Sequence, residues 1–239
     1  MNERPEHPSS LPERQTKVDV DAIRVAQIAA IRTLDRAVQE WMPAVGLQLE
    51  RRSGLWVAWL ADRRSVVVAP DDELDADDCL LQIVLHECCH WMVEGESAAA
   101  SDDWGLDNLS DRHDWREHAA LLLQCRILEP VGLADVLEPT TDFRSWYRSM
   151  RAGAVVDDVT AGAARNGWER WRIWKGRPAL EKLLMQAAAL CPAGDHVLEA
   201  VDFAHTDRHG GDDRGPSFAD AGGRALCDGA DRTVDGLPP

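Results

Sequence analysis

The sequence predicts an α+β fold, a small sheet joined to a larger helical layer, and three observations carry that expectation. Residues 47–69 alternate apolar and polar positions around turn residues, the two-residue period of half-buried strands. Residues 18–42 instead space their apolar side chains at three and four, the period of a helix lying on a core. Two further apolar stretches, 79–93 and 119–128, each stand between helix start and stop signals.

In chain order, the first helix uses Val20, Ile23, Val25, Ile28, Ile31, Leu34 and Val38 as its buried stripe, and Pro43 ends it. Leu47 and Leu49, then Leu55, Val57 and Trp59, then Val66 and Val68 define two or three short antiparallel strands. Ser53-Gly54 and Asp62-Arg63-Arg64 turn them into a meander. A helix is expected over 76–94: the acidic run Asp71 to Asp78 suits the positive end of a helix dipole, and Gly95 suits the residue past its end. Ser110 caps a helix that runs to Leu128 and stops at Pro130. Shorter helices cover 142–150 with Thr141 as cap, 158–174, and 178–190 with Pro178 at its first position. No internal repeat is present. The ends, 1–17 and 205–239, read as disordered tails, the second acidic and Gly-rich, and leave a single metal-binding domain over 18–200 with its core at 64–130.

Lys and Arg total 26 against 42 Asp and Glu, a net charge of -16, so attraction to phosphate backbones or anionic lipid is disfavoured. No nucleic-acid or membrane partner is expected. The N-terminal residues lack the apolar stretch of a secretory signal, which makes the cytoplasm the expected setting, with thiols reduced. The six cysteines show no CxxC spacing and form neither a disulfide framework nor a thiolate zinc cage.

The chemistry lies in His86-Glu87-Cys88-Cys89-His90, an HExxH inside the helix predicted on other grounds. Residues four apart share a helix face, so His86 and His90 can converge on one divalent ion, iron or zinc. Glu87, at the edge of that face, can reach a metal-bound water and accept its proton. A catalytic metal takes a third protein ligand, and the helix after Ser110 offers His113, Asp114, Glu117 and His118. Glu117 completes a two-His, one-carboxylate set; His118 and Asp114 are the alternatives, and His113 and Asp114 also fit a solvated first turn. Cys88 and Cys89, between Leu85 and Trp91, read as core residues, as do Cys125 and Cys191 and the stripe of Trp168, Trp171 and Trp174.

The stretch from His86 to Gly105 resembles the elongation factor P hydroxylase family. The resemblance rests on HExxH followed at once by Trp91, then Val93 and Gly95, then an Asp-aromatic-Gly at Asp103, Trp104 and Gly105, with a strand at 65–69 before the helix. It implies a zincin-like core with a bound metal, and oxygen-dependent hydroxylation of a modified lysine on that translation factor. It also implies His86, His90 and Glu117 as ligands, with Trp91 and Asp103 at the substrate. The tyrosines that follow the Asp-aromatic-Gly in that family are replaced here by Leu106, Asp107 and Asn108.

Three functions follow. The first is a non-haem metal oxygenase that hydroxylates a protein, such as elongation factor P, or a small molecule. The second is a zinc metallopeptidase with Glu87 as general base, a reading the motif itself favours. Against it, the sequence displays no obvious edge strand or Gly-rich cleft beside the helix, and no second histidine to hold an oxyanion once His86, His90 and His118 are set aside. The third is a structural module whose metal is closed by a fourth protein ligand.

Overall fold

The computed structural model describes residues 20–107, 110–139 and 141–191, all within one compact unit. The tails expected at 1–17 and 205–239 lie outside the described residues. Helices α1 (Val20–Ile31) and α2 (Asp35–Trp41) are followed by strands β1 (Gln48–Arg51), β2 (Val57–Leu60) and β3 (Ser65–Val68). Then come α3 (Leu80–Glu94), α4 (Glu96–Ala99), α5 (Asp114–Leu128), α6 (Thr141–Arg151), α7 (Asp158–Ile173) and α8 (Arg177–Leu190). The α+β class is as expected, a three-stranded mixed sheet beside a predominantly helical body. No helix among the described residues is long and apolar enough to cross a membrane.

The sheet is not a meander. Its order is β1-β3-β2, with β2 antiparallel to β3 but β1 parallel to it, Gln48 facing Ser65 and Arg51 facing Val68. The reason is visible in β3: Ser65, Val66, Val67 and Val68 are all buried, an unbroken run that suits a central strand covered on both faces rather than an alternating one. Neither outer strand is buried throughout: β1 carries Gln48, Glu50 and Arg51, and Val57 and Leu60 at the ends of β2 are half-buried. The first predicted helix is also broken, by a 3-10 turn at Arg32–Leu34, and Pro43 lies in a second such turn, Met42–Val45, instead of ending a helix.

The acidic run before α3 is not in its first turn. α3 begins at Leu80, and Asp75 to Asp78 form the preceding loop, where arginines from three directions hold them. Arg24, nearly buried, ion-pairs with Asp77 and donates to its carbonyl at 3.1 Å, Arg32 donates to the Asp78 carbonyl at 2.9 Å, and Arg144 from α6 reaches Asp77 at 2.7 Å. These tertiary pairings outweigh the few tenths of a kcal/mol to about 1 kcal/mol that a dipole contact offers. At its other end, Gly95 adopts φ 83° and ψ -179°, a conformation open essentially to glycine alone. The cap expected from Thr141 concerns a side chain outside the described residues. Asp157 caps α7, accepting from the Thr160 amide at 2.9 Å, and Pro178 sits in the first turn of α8.

α3, α5 and α7 pack on one another and make the centre of the core, with Leu80, Leu85, Leu121, Leu123 and Trp171 buried. All five cysteines among the described residues are buried and free, as packing predicts. Trp171 is buried, Trp168 lies under the Arg126 guanidinium at 4.3 Å, and Trp174 meets Trp41 and Trp91 edge-on.

Candidate metal centre

α3 and α5 face each other so that His86, His90 and Glu117 meet. His90 Nε2 lies 3.0 Å from His86 Nε2 and 3.2 Å from Glu117 Oε2, and His86 Nε2 lies 3.3 Å from the same oxygen. Ligand bonds near 2.1 Å place two ligand atoms about 3.0 Å apart in an octahedron and about 3.4 Å apart in a tetrahedron. The three separations fall within that range, so the donor set fits a divalent ion of either preference.

The protonation of the ring nitrogens agrees. Gln124, fully buried, donates through Nε2 to the Leu137 carbonyl at 3.0 Å, which turns its Oε1 toward His86 Nδ1 at 3.1 Å. That oxygen can only accept, so His86 Nδ1 is the donor to it and Nε2 is the atom left to face an ion. Metal-binding histidines are commonly oriented by such a contact. His90 is held differently, by packing on the face of Trp104 with ring centres 6.2 Å apart. Burial works against a charged His90, but the Glu117 carboxylate outweighs it by charge and hydrogen bond and pushes the His90 pKa up to about 9. Burial likewise opposes ionised Glu117, and the two histidines overcome it, holding Glu117 well below the usual carboxylate range.

Glu87 is 7% exposed and stands beside the cluster without joining it. Its Oε2 accepts a hydrogen bond from Trp104 Nε1 at 2.8 Å. Trp104 stacks on Trp59 with centres 4.4 Å apart, and Asp103 Oδ1 accepts from the Trp59 amide at 3.0 Å. The turn that makes this possible is strained: Asp103 and Trp104 have φ of 46° and 58° ahead of Gly105 at 66°. Such a conformation costs a non-glycine residue about 1–3 kcal/mol and persists only where its surroundings impose it. Arg116 does so, donating to the Trp104 and Gly105 carbonyls at 2.8 and 3.2 Å while paired with Glu94.

The centre opens into a cavity of about 430 Å³, a size that suits a side chain or small ligand. Trp56, Leu106 and Phe143 are among its apolar walls. Glu87, Asp103, Asp107, Asp114 and Glu117 line it, and among the described residues no lysine or arginine does. β2 forms one wall and is an edge strand, contrary to expectation. Because the Ala69 amide donates to the Trp56 carbonyl, the β2 residues that bond to β3 alternate, and Val57 and Trp59 turn their backbone groups outward. The edge was illegible in sequence because it depends on β3 occupying the centre of the sheet.

The other residues of interest separate clearly. Asp114 and His113 line the cavity outside the cluster, and His113 Nδ1 accepts from the Asp107 amide at 2.8 Å. His118 points away and stacks on Trp146 with centres 3.9 Å apart. Asp103 lies at the cavity wall, tied to Trp59. Trp91, expected at the substrate, instead donates to Glu96 at 2.9 Å and lines a separate depression with Arg170 and Ile173. As residue 91 it directly follows His90, and the 100° step per helix residue carries it off the metal face. Sequence reasoning passed over Gln124 and the indole of Trp104. Gln124 was within reach, since it lies seven residues after Glu117 and is the polar position in an apolar run.

No protein-family model matches the chain, and no curated protein or solved structure matches it.

Proposed function

We propose that this protein is a metal-dependent enzyme in which His86, His90 and Glu117 hold one divalent ion, iron or zinc. In our reading it is a zincin-like hydroxylase of a lysine-bearing polypeptide, akin to the elongation factor P hydroxylases that its sequence resembles, and works in the cytoplasm. The observation that carries the reading is the convergence of three donor atoms, 3.0 to 3.3 Å apart, beside a cavity lined by carboxylates with no lysine or arginine. A cationic side chain is attracted to such a lining. The resemblance gains support from the matched Asp-aromatic-Gly, since Asp103 and Trp104 join the cavity wall to Glu87.

A bound iron would supply oxygen chemistry at open positions of the triad, and a bound zinc would supply Lewis acidity. The chain's own residues do the rest. Gln124 orients His86, the apolar walls exclude water, and Glu87 is placed to take a proton from a group at the ion. A second reading, amide hydrolysis by a zinc peptidase, is favoured by a specific observation: Glu87 shares one cavity with β2, where Asp103 takes the outward Trp59 amide but Val57 also turns its backbone groups outward, toward where a peptide could bind beside the base.

The test is elemental analysis of protein purified without chelator or air, alongside His90→Ala. Near-stoichiometric iron that is absent from the variant, followed by oxygen uptake with modified elongation factor P, is the expected result. Zinc with cleavage of peptides selects the second reading. Equal metal content in protein and variant removes the site.

A further inference from the structure

Glu87 adjoins a ligand in sequence, is nearly buried and lines the cavity of the metal centre, yet its carboxylate stays outside the ligand cluster. A carboxylate left free there would compete for the ion as a further ligand, since zinc, iron and their relatives all accept carboxylate oxygen. What restrains it is visible. Trp104 Nε1 donates to Glu87 Oε2 at 2.8 Å, and the indole cannot swing because it lies against Trp59 with an interplanar angle of 13°. The backbone beneath the indole is fixed from both sides. Arg116 holds the Trp104 and Gly105 carbonyls, and the carboxylates of Asp102 and Asp103 accept from the Ala61 and Trp59 amides at 2.9 and 3.0 Å.

We infer that Trp104 is a positioning residue that keeps Glu87 out of the metal's ligand shell, reserving that carboxylate for proton transfer and a coordination position for substrate. The inference rests on the metal reading above and holds for either chemistry proposed there. It also separates an enzyme from a structural site, because closure by a fourth protein ligand is what marks the latter. The strained left-handed pair at Asp103 and Trp104 then has a purpose: it aims the indole at Glu87 from a turn already tied to β2.

The test uses the full chain loaded with Co(II), whose visible absorption weakens and shifts as ligands are added. Trp104→Phe keeps a ring to stack on Trp59 and removes the donor. Its spectrum should weaken and shift relative to the unsubstituted protein, and its Co(II) should pass to a chelator more slowly, as Glu87 becomes a ligand. Adding Glu87→Gln to Trp104→Phe should restore both readouts. An unchanged spectrum and release rate in Trp104→Phe would overturn the inference. A second measurement does not depend on that variant folding: in metal-free protein labelled with 15N at its 10 tryptophans, Glu87→Ala should move one indole N–H resonance. If none moves, the clamp is absent and the inference fails whatever the metal result. If no Co(II) is taken up while one resonance moves, the failure lies in the metal reading, and the ligand-shell role falls with it.

Discussion

Gln124 shows how a single buried side chain decides what a motif can do. HExxH places two imidazoles on one face, but which nitrogen of His86 would face an ion depends on the acceptor at its Nδ1. Gln124→Leu keeps the volume and removes that acceptor, leaving the His86 N–H and the Leu137 carbonyl without their partner. Metal affinity should fall by about 10–100-fold, the usual effect of losing such a contact. Competition with a chelator of known affinity measures this, and an unaltered affinity would show that His86 is oriented by something else. Glu117 illustrates the limit of local reading at the same scale. Sequence left it beside His118 and Asp114, and only the direction of each side chain from α5 separates them: Glu117 to the histidines, His118 to Trp146.

Among the elements, α7 lies close against both α3 and α5 at Gly167. A Cβ added at Gly167 would lie 2.9 Å from Leu123 Cδ2 and 3.0 Å from Val93 Cγ2, both buried side chains. Alanine is the better helix former, by about 1 kcal/mol, but the overpacking opposes it at about 1–3 kcal/mol. Gly167→Ala should therefore lower the melting temperature, and because α3 carries both histidines it should also weaken metal binding. A rise in melting temperature would mean that α7 moves aside freely. The helices were legible because their apolar spacing, Ser110 and Pro178 are local signals. The strand pairing was not, since whether β1 runs parallel or antiparallel to β3 depends on a connection that passes through β2.

Across the whole molecule, the excess of acid places carboxylates where burial disfavours their charge. Burial, with the neighbouring Asp71, raises the Asp35 pKa to about 6 against the opposing charges of Arg51 and Arg32, while Asp35 also accepts from the Leu80 amide. Burial, with Asp77 and Asp75, raises Asp78 to about 6 as well. Both folded-state values lie above the ordinary 3.8, so the folded protein binds these protons more tightly than the unfolded chain. Their contribution to stability grows as pH falls through about 6 and is lost as pH rises above it. Asp35→Asn keeps an acceptor for the Leu80 amide and removes the charge. Its melting temperature should exceed that of the unsubstituted protein well above pH 6, with the gap closing toward pH 3.8. A gap that does not vary with pH would show that Asp35 acts through packing instead.

By itself the sequence determined the α+β class, the extent of most helices, the packing role of the cysteines and tryptophans, and the pair of histidines four residues apart. Each of these follows from spacing within one element, which backbone geometry fixes without reference to the rest of the chain. Only the tertiary structure decided that Glu117 joins His86 and His90, that Gln124 orients one of them, that Trp104 holds Glu87, and that β2 is an outer strand of the sheet at the cavity wall. Those contacts join residues 17 to 38 positions apart, or depend on strand order. Long-range pairing of this kind is set by which surfaces bury each other, a property of the packed whole that no local pattern encodes.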